Sequence, residues 1–301
     1  MQYKVPTFYM IIGLPGSGKT RFAYTLQNKN DSNLVSLGEV RRTYNALYGR
    51  DGYRSCDMVN VVYEYVKDSI TQGKDVIYDA TNLTAKNRKH VLRHVLRGIE
   101  CRKVAYIMAT PYRQCVKDCF FGETLAREGY IKWQTPGIWE GWDEIWLHYD
   151  KPEWIGCNGT PFDFAVRYRE YDQRSEHHGL TLGNHLWKTV EKINLSEVKP
   201  WKYDIIAEAA LLHDCGKPIS RHVRSDGKVT YYNHHNIGSY ESLFFDFGED
   251  IDIIYVSALI GHHMDPYFWG EDFDKNHYIN FFGEAFYDDV MLIHKADKMA
   301  R

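Results

Sequence analysis

No run of 18 or more apolar residues occurs in this chain, which argues against a membrane-spanning helix and against a membrane partner. The opening segment, MQYKVPTFYMIIG, also lacks the long apolar stretch of a secretory leader and runs straight into a glycine-rich loop. Cleavage of a leader there would destroy that loop, so a cytoplasmic protein is expected. The six cysteines, Cys56, Cys101, Cys115, Cys119, Cys157 and Cys215, include no CxxC pair, which removes the thioredoxin-type and zinc-ribbon readings. Cys115 and Cys119 lie one helical turn apart and offer two thiols to a metal, although reduced, partly buried thiols are the ordinary expectation in a cytosolic chain. Internal repeats and low-complexity tracts are absent as well, so a repeat architecture has no support.

What is present is an ordinary globular composition, 44% apolar and 26% charged, over 301 residues. That length suits two domains at about 150 residues each. The net charge of −3 hides an asymmetry: residues 1–155 hold 22 Lys and Arg against 17 Asp and Glu, whereas residues 156–301 hold 15 against 23. A basic half suits a polyanion, and bound divalent cations would offset part of the acidic half.

Periodicity separates the same two halves. Tyr9 to Ile12, Val76 to Tyr78 and Val104 to Met108 read as short buried strands, while Lys19 to Gln27 and Asn87 to Gly98 read as helices. This alternation predicts an α/β domain over residues 1–155, a parallel sheet with helices on both faces. Residues from about Trp133 to Tyr171 are rich in Trp, Tyr, Pro and Gly without clear period, and the boundary is expected between Glu153 and Asp163. Beyond Thr181 the apolar spacing turns helical: Leu182 to Ile193, Asp204 to His213, Asn236 to Phe247, Ile251 to His263 and Ala285 to Met299. Residues 156–301 are therefore expected to form an all-α domain.

Residues Gly13 to Thr20, GLPGSGKT, satisfy the phosphate-loop pattern GxxxxGK[ST]. Gly13, Gly16 and Gly18 let backbone N–H groups close around phosphate oxygens, with Pro15 and Ser17 completing the loop. Lys19 reaches the β and γ phosphates, and Thr20 offers a hydroxyl to Mg²⁺. ATP with Mg²⁺ is the expected cofactor pair. Downstream, YDATNLTAKNR (Tyr78 to Arg88) resembles the second motif of polynucleotide and small-molecule P-loop kinases. The resemblance implies that Asp79 holds the metal or the acceptor site, and that Asn82 and Arg88 handle an acceptor phosphate. Polynucleotide kinases also carry Asp-x-x-Arg, whose Asp is the general base. In SLGEVRR, Arg41 matches the Arg, Gly38 stands at the Asp position, and Glu39 is the nearest carboxylate able to take a proton. Lys117 and Arg127 are the candidates for the lid cation. Lys86, His90, Arg93 and Arg97 share one helical face, either a nucleic-acid contact or a solvated basic face.

The last third of the chain carries seven metal-capable side chains in the order His185, His213-Asp214, His234, His262-His263 and Asp297. Imidazole and carboxylate suit divalent transition metals, and such a set can hold two ions about 3.5–4 Å apart. The order resembles the HD phosphohydrolase superfamily. That resemblance implies a minimum metal site of His185, His213, Asp214 and Asp297 with Asp214 bridging. His234 and either or both of His262 and His263 would extend it to two ions of manganese, iron, nickel or zinc. Lys217 is placed to neutralise a phosphate oxygen, and His177 and His178 to line the pocket or lie at the surface.

Taken together, a P-loop kinase-like half followed by an HD half resembles the bifunctional polynucleotide kinase/phosphatases of phages and bacteria. This implies healing of broken RNA or DNA ends in the cytoplasm, a host's if phage-encoded, with a ligase as functional partner and a homo-oligomer left open. The kinase half would phosphorylate 5′-hydroxyls, and the HD half would remove 3′-phosphates or 2′,3′-cyclic phosphates. Two rivals stand beside it: a nucleotide-level kinase fused to a nucleotidase, and a phosphohydrolase whose P-loop half only binds ATP.

Overall fold

The computed structural model describes residues 4–49, 55–174 and 179–300. The chain forms two compact units, Met1–Gly129 with Glu140–Asp150, and Tyr130–Trp139 with Lys151–Arg301.

The first unit is built on a five-stranded sheet in the order β2-β3-β1-β4-β5, every pairing parallel. The central strand β1 (Thr7–Ile12) is the run TFYMII, buried at five of its six positions. A continuous apolar run suits a parallel strand covered on both faces. It is flanked by β3 (Val76–Asp79), buried throughout, and β4 (Arg102–Met108). The shorter β2 (Asn33–Ser36) and β5 (Glu144–His148) complete the edges. Helix α1 (Lys19–Asn30) follows β1 and lays Ala23 and Leu26 against Ile11, Ile77 and Met108. The chain leaves β1 between strands that lie on opposite sides of it, the switch point where open α/β sheets bind ligands.

Helices α2 (Leu37–Tyr48) and α3 (Ser55–Thr71) join β2 to β3. The expected helix from Asn87 to Gly98 is α4 (Ala85–His90) continued by a wider π turn, Val91–Val95, with Leu96 N–H bonded to Val91 O at 3.0 Å. Lys86, His90, Arg93 and Arg97 are all exposed along it. After β4 come α5 (Tyr112–Asp118) and α6 (Glu123–Ile131).

The second unit is helical. Helices α7 (Pro161–Arg167), α8 (Leu182–Glu191), α9 (Tyr203–Leu212), α12 (Ile253–His262) and α15 (Glu284–Met299) surround one apolar core. Its short elements are α10 (Lys217–Ser220), α11 (His234–Ser242), α13 (Asp265–Phe268) and α14 (Lys275–Phe282), plus a small hairpin, β6 (His222–Val223) with β7 (Val229–Thr230). Residues 130–139 belong here, although the sequence placed them before the boundary. Trp139 packs at a tilt against Phe286 with ring centroids 4.4 Å apart, and Trp133 meets Tyr240 edge-on at 5.0 Å. The Thr135 hydroxyl lies 2.7 and 2.6 Å from those of Ser239 and Ser257. Strand β5 then returns to the sheet from a segment with no readable period. Among the described residues no helix is long and apolar enough to cross a membrane.

Candidate functional site

In the first unit the phosphate loop spans the end of β1 and the start of α1. Gly16 and Gly18 adopt φ of +83° and +81°, a region that strains any side chain. A Cβ on Gly16 would also lie 2.1 Å from the carbonyl oxygen of Cys115. Lys19 is buried and folds back to donate to Leu14 O at 2.6 Å. Burial pushes its pKa down, with Asp79, Cys115 and Cys119 pulling the other way. The strand register sets Ile11 and Ser36 opposite Asp79, one from each neighbouring strand. Asp79 Oδ2 thereby accepts from Thr20 Oγ1 at 2.7 Å and from Ser36 Oγ at 2.9 Å. A carboxylate touching the hydroxyl expected to face Mg²⁺ is the pairing a P-loop metal site uses.

Other residues sit differently from expectation. Arg88 is fully buried: Nε and Nη2 donate to the two oxygens of Glu140 at 2.8 and 2.6 Å, and Nη1 donates to Asn82 O at 3.0 Å. A desolvated bidentate pair of this kind is committed, so the acceptor-phosphate role expected of Arg88 is corrected to a structural one. Asn82 bonds Ile11 O at 2.9 Å and likewise braces the sheet. Glu39, half-buried in the first turn of α2, accepts from the Tyr24 hydroxyl. Arg41, Lys117 and Arg127 are exposed. Cys115 and Cys119 are buried thiols outside any disulfide and enter no metal-competent group among the described residues.

In the second unit six of the seven metal-capable side chains meet. Two buried groups form, His185 with His213 and Asp297, and Asp214 with His234 and His263. Local geometry explains how such distant residues present the same atom. His213 follows the last residue of α9, His263 follows the last of α12, and His234 opens α11. Each turns Nδ1 onto the carbonyl three residues earlier: Ala210 at 2.7 Å, Ile260 at 2.7 Å and Tyr231 at 2.8 Å. A carbonyl only accepts, so Nδ1 carries the hydrogen and Nε2 offers its lone pair to the cluster. The Ala210 and Ile260 carbonyls lie in the last turns of α9 and α12, where C=O groups lack intrahelical partners, while Tyr231 precedes α11.

Asp214 alone faces both groups. Its Oδ2 lies 3.3 Å from His213 Nε2 and 3.5 Å from His185 Nε2, while Oδ1 lies 3.2 Å from His234 Nε2 and 3.8 Å from His263 Nε2. The turn after His213 puts Gly216 against α11 so closely that a Cβ there would meet His234 O at 2.0 Å. Asp297, on the last turn of α15, is 3.1 Å from His185 Nε2 through Oδ1 and accepts from the Tyr267 hydroxyl at 2.7 Å through Oδ2. Lys217 is buried, 2.5 Å from Asp214 Oδ2 and 2.7 Å from Gln173 Oε1. Despite burial, Lys217 and then His213 hold the Asp214 carboxyl well below its ordinary range. Burial, with His213 and His234 nearby, keeps His263 neutral.

These residues fit divalent cations. His234 and His263 point Nε2 at Nε2 across 3.3 Å, and both nitrogens carry lone pairs. Two acceptors so placed repel, and a cation between them removes the conflict. The donor set of neutral imidazole and ionised carboxylate suits manganese, iron, nickel or zinc.

His262 is the exception. A residue one place earlier on a helix points about 100° away, and its Nδ1 pairs with Asp265 at 2.7 Å while its ring packs on Phe282 at 4.8 Å. Its expected role as a ligand is corrected. His177 and His178 lie outside the described residues. Sequence reasoning missed Ser36, Glu140, Gln173 and Tyr267. Each is a single polar residue in no recognisable spacing, so nothing local singled it out.

Above the cluster opens a cleft of about 900 Å³, with Asp214, Lys217, His234, His263 and Asp297 among its lining residues.

Residues 8–118 match a family described as AAA domain. The match runs from β1 to α5 and ends before the helical unit. No curated protein matches the chain. Among solved structures, the chain is similar to a candidate kinase from Chloroflexus aurantiacus J-10-fl, with 12% identity and a TM-score of 0.43 over 52% of this chain and 91% of that one. It is also similar to a chain of the Pnkp1/Rnl/Hen1 complex, with 21% identity and a TM-score of 0.34 over 40% of each. The chain thus carries an N-terminal P-loop kinase-like domain on a five-stranded parallel sheet, followed by a helical C-terminal region.

Proposed function

We propose that this chain is a nucleic-acid end-healing enzyme. The kinase-like unit phosphorylates 5′-hydroxyl ends from ATP, the helical unit hydrolyses 3′-phosphates or 2′,3′-cyclic phosphates, and a ligase seals the product. The observation carrying the hydrolase half is the convergence of His185, His213, Asp214, His234, His263 and Asp297 on one buried cluster.

In the kinase-like unit, the loop from Gly13 to Thr20 holds the phosphates through backbone N–H groups. Lys19 leaves Leu14 O for the β and γ oxygens, and Thr20 and Asp79 would hold Mg²⁺. When bound, Mg²⁺ supplies charge neutralisation across the β and γ phosphates. In the helical unit, the two three-residue groups would each hold one divalent ion, and Asp214, a member of the second group, also faces the first through Oδ2. When bound, such ions supply Lewis-acid activation of water and neutralise charge at phosphorus. Lys217 keeps Asp214 ionised, Tyr267 orients Asp297, and the three backbone carbonyls keep His213, His234 and His263 in the ligating tautomer.

One observation favours a second reading, a hydrolase whose P-loop unit only binds ATP. Gly38 stands where the base is expected, and Glu39 is engaged by Tyr24. Incubation with γ-labelled ATP separates the cases. Label on 5′-hydroxyl RNA or DNA supports end healing, and label on free nucleosides points to a nucleotide-level enzyme. No transfer alongside intact 3′-phosphatase activity leaves the ATP-binding hydrolase.

A further inference from the structure

The hairpin β6–β7 itself supplies no residue of the cluster, yet it and the residues after it wall the cleft. Arg224, Lys228 and Tyr232 all line the same cavity as Asp214 and His234. The hairpin is inserted between two residues of the cluster wall, starting shortly after Lys217 and running through Tyr231 and Tyr232 into His234. Tyr231 anchors it, its hydroxyl donating to Gln173 O at 2.6 Å.

Three features of this wall suit a polyanion with bases. The register pairing Val223 with Val229 sets Arg224 opposite Lys228, with Arg224 N–H bonded to Lys228 O at 2.9 Å. Like charges directly opposed across a hairpin destabilise it. Asp226 pairs with Arg224 at 3.3 Å, both side chains about half exposed, and an exposed pair of this kind counts for little in water. Second, Tyr232 and Phe268 line the cavity and are 67% and 69% exposed, large aromatic faces with no burial to explain them. Third, the cleft is about 900 Å³, towards the top of the ~300–1,000 Å³ span of small-ligand sites and far larger than one phosphate needs.

We infer that the hairpin wall is a binding site for the penultimate nucleotides of a single-stranded 3′-phosphorylated end, with Arg224 and Lys228 on the internucleotide phosphates and Tyr232 and Phe268 stacking on bases. This rests on the hydrolase reading above and narrows it: the substrate is a strand of two or more nucleotides, not a mononucleotide. Stacking on aromatic faces tolerates any base, so the site selects a strand without selecting its sequence.

Fluorescence anisotropy tests this on the full chain with its metal. The probe is a hexanucleotide with a 3′-phosphorothioate and a fluorophore blocking its 5′ end. The double variant Arg224→Ala/Lys228→Ala is expected to raise Kd at least tenfold. Its log–log salt slope should fall by about 1.4, since each lost single-strand phosphate contact removes about 0.7. Tyr232→Ala should raise Kd several-fold and leave the slope alone, with metal content and thermal melting certifying each variant's fold. Arg224→Lys should bind as the unaltered chain does. Unchanged Kd and slope in the double variant overturn the proposal, as does a nucleoside 3′-monophosphate that displaces the probe at equal concentration. Hydrolysis of 3′-phosphorylated strands is read separately. Binding that depends on the hairpin with no turnover of any substrate sinks the hydrolase reading alone, whereas turnover with hairpin-independent affinity sinks this proposal alone.

Discussion

His262 and His263 are adjacent in sequence and chemically identical, yet the helix end separates their fates. His263 sits just past the last residue of α12, where its Nδ1 reaches the Ile260 carbonyl and its Nε2 faces the cluster. His262, a turn-angle earlier, is spent on Asp265. His263→Ala is therefore expected to lower the bound metal stoichiometry, while His262→Ala leaves it intact; elemental analysis of the purified variants decides. Arg88 makes the same point for the kinase-like unit. Removing it leaves Glu140 buried without its partner, a loss of about 3–5 kcal/mol for a broken buried pair. Denaturant unfolding of Arg88→Ala should show that loss. A folded Arg88→Ala of ordinary stability with lost acceptor binding would restore the role first expected. Such distinctions are invisible in the residue string, where Arg88 sits inside a well-matched motif and both histidines have equal claims.

Helices place the side chains of the cluster, and their ends do the fine positioning. Three of the four imidazoles in the cluster use the same device, a helix-terminal position with Nδ1 tied to a carbonyl three residues back. The turn between α9 and α10 must then bring α11 close, which is why Gly216 has no room for a side chain. Its φ of −77° is open to any residue, so the constraint is contact and not backbone strain. Gly216→Ala is expected to destabilise the helical unit by about 1–3 kcal/mol, the usual cost of overpacking, and to lower metal occupancy by shifting His234. Thermal melts with and without added metal would show both. Helix α9 also carries Glu208, whose Oε2 is buried without a hydrogen-bond partner among the described residues. Burial, and secondarily Asp204, push its carboxyl up to about 6, against about 4.3 in an unfolded chain. The folded state therefore holds this proton more tightly, and stability falls as pH rises from about 4.3 through about 6. Glu208→Gln should flatten that part of the stability–pH curve. Equal slopes in the two proteins would remove the assignment.

At the scale of the molecule, the chain joins a parallel α/β unit to a helical one. Lys19→Ala is expected to abolish phosphoryl transfer from ATP while sparing phosphate hydrolysis. Asp214→Ala should do the reverse, with loss of metal. If either change ends both activities in a folded protein, the two centres are not independent.

Much of this was legible from residue order alone. The phosphate loop is a contiguous pattern, and central strands such as TFYMII announce themselves because burial on both faces demands unbroken apolar runs. The set of metal-capable residues was legible as well, since imidazole and carboxylate chemistry does not depend on context. Folding decided what contiguity cannot encode. It chose which of two neighbouring histidines turns inward, and it gave Arg88 to Glu140, 52 residues away. It also packed residues 130–139 with the helical unit and returned an edge strand from an aperiodic stretch. These outcomes depend on side-chain direction and long-range pairing, set by helix phase and packing that no local window of residues contains.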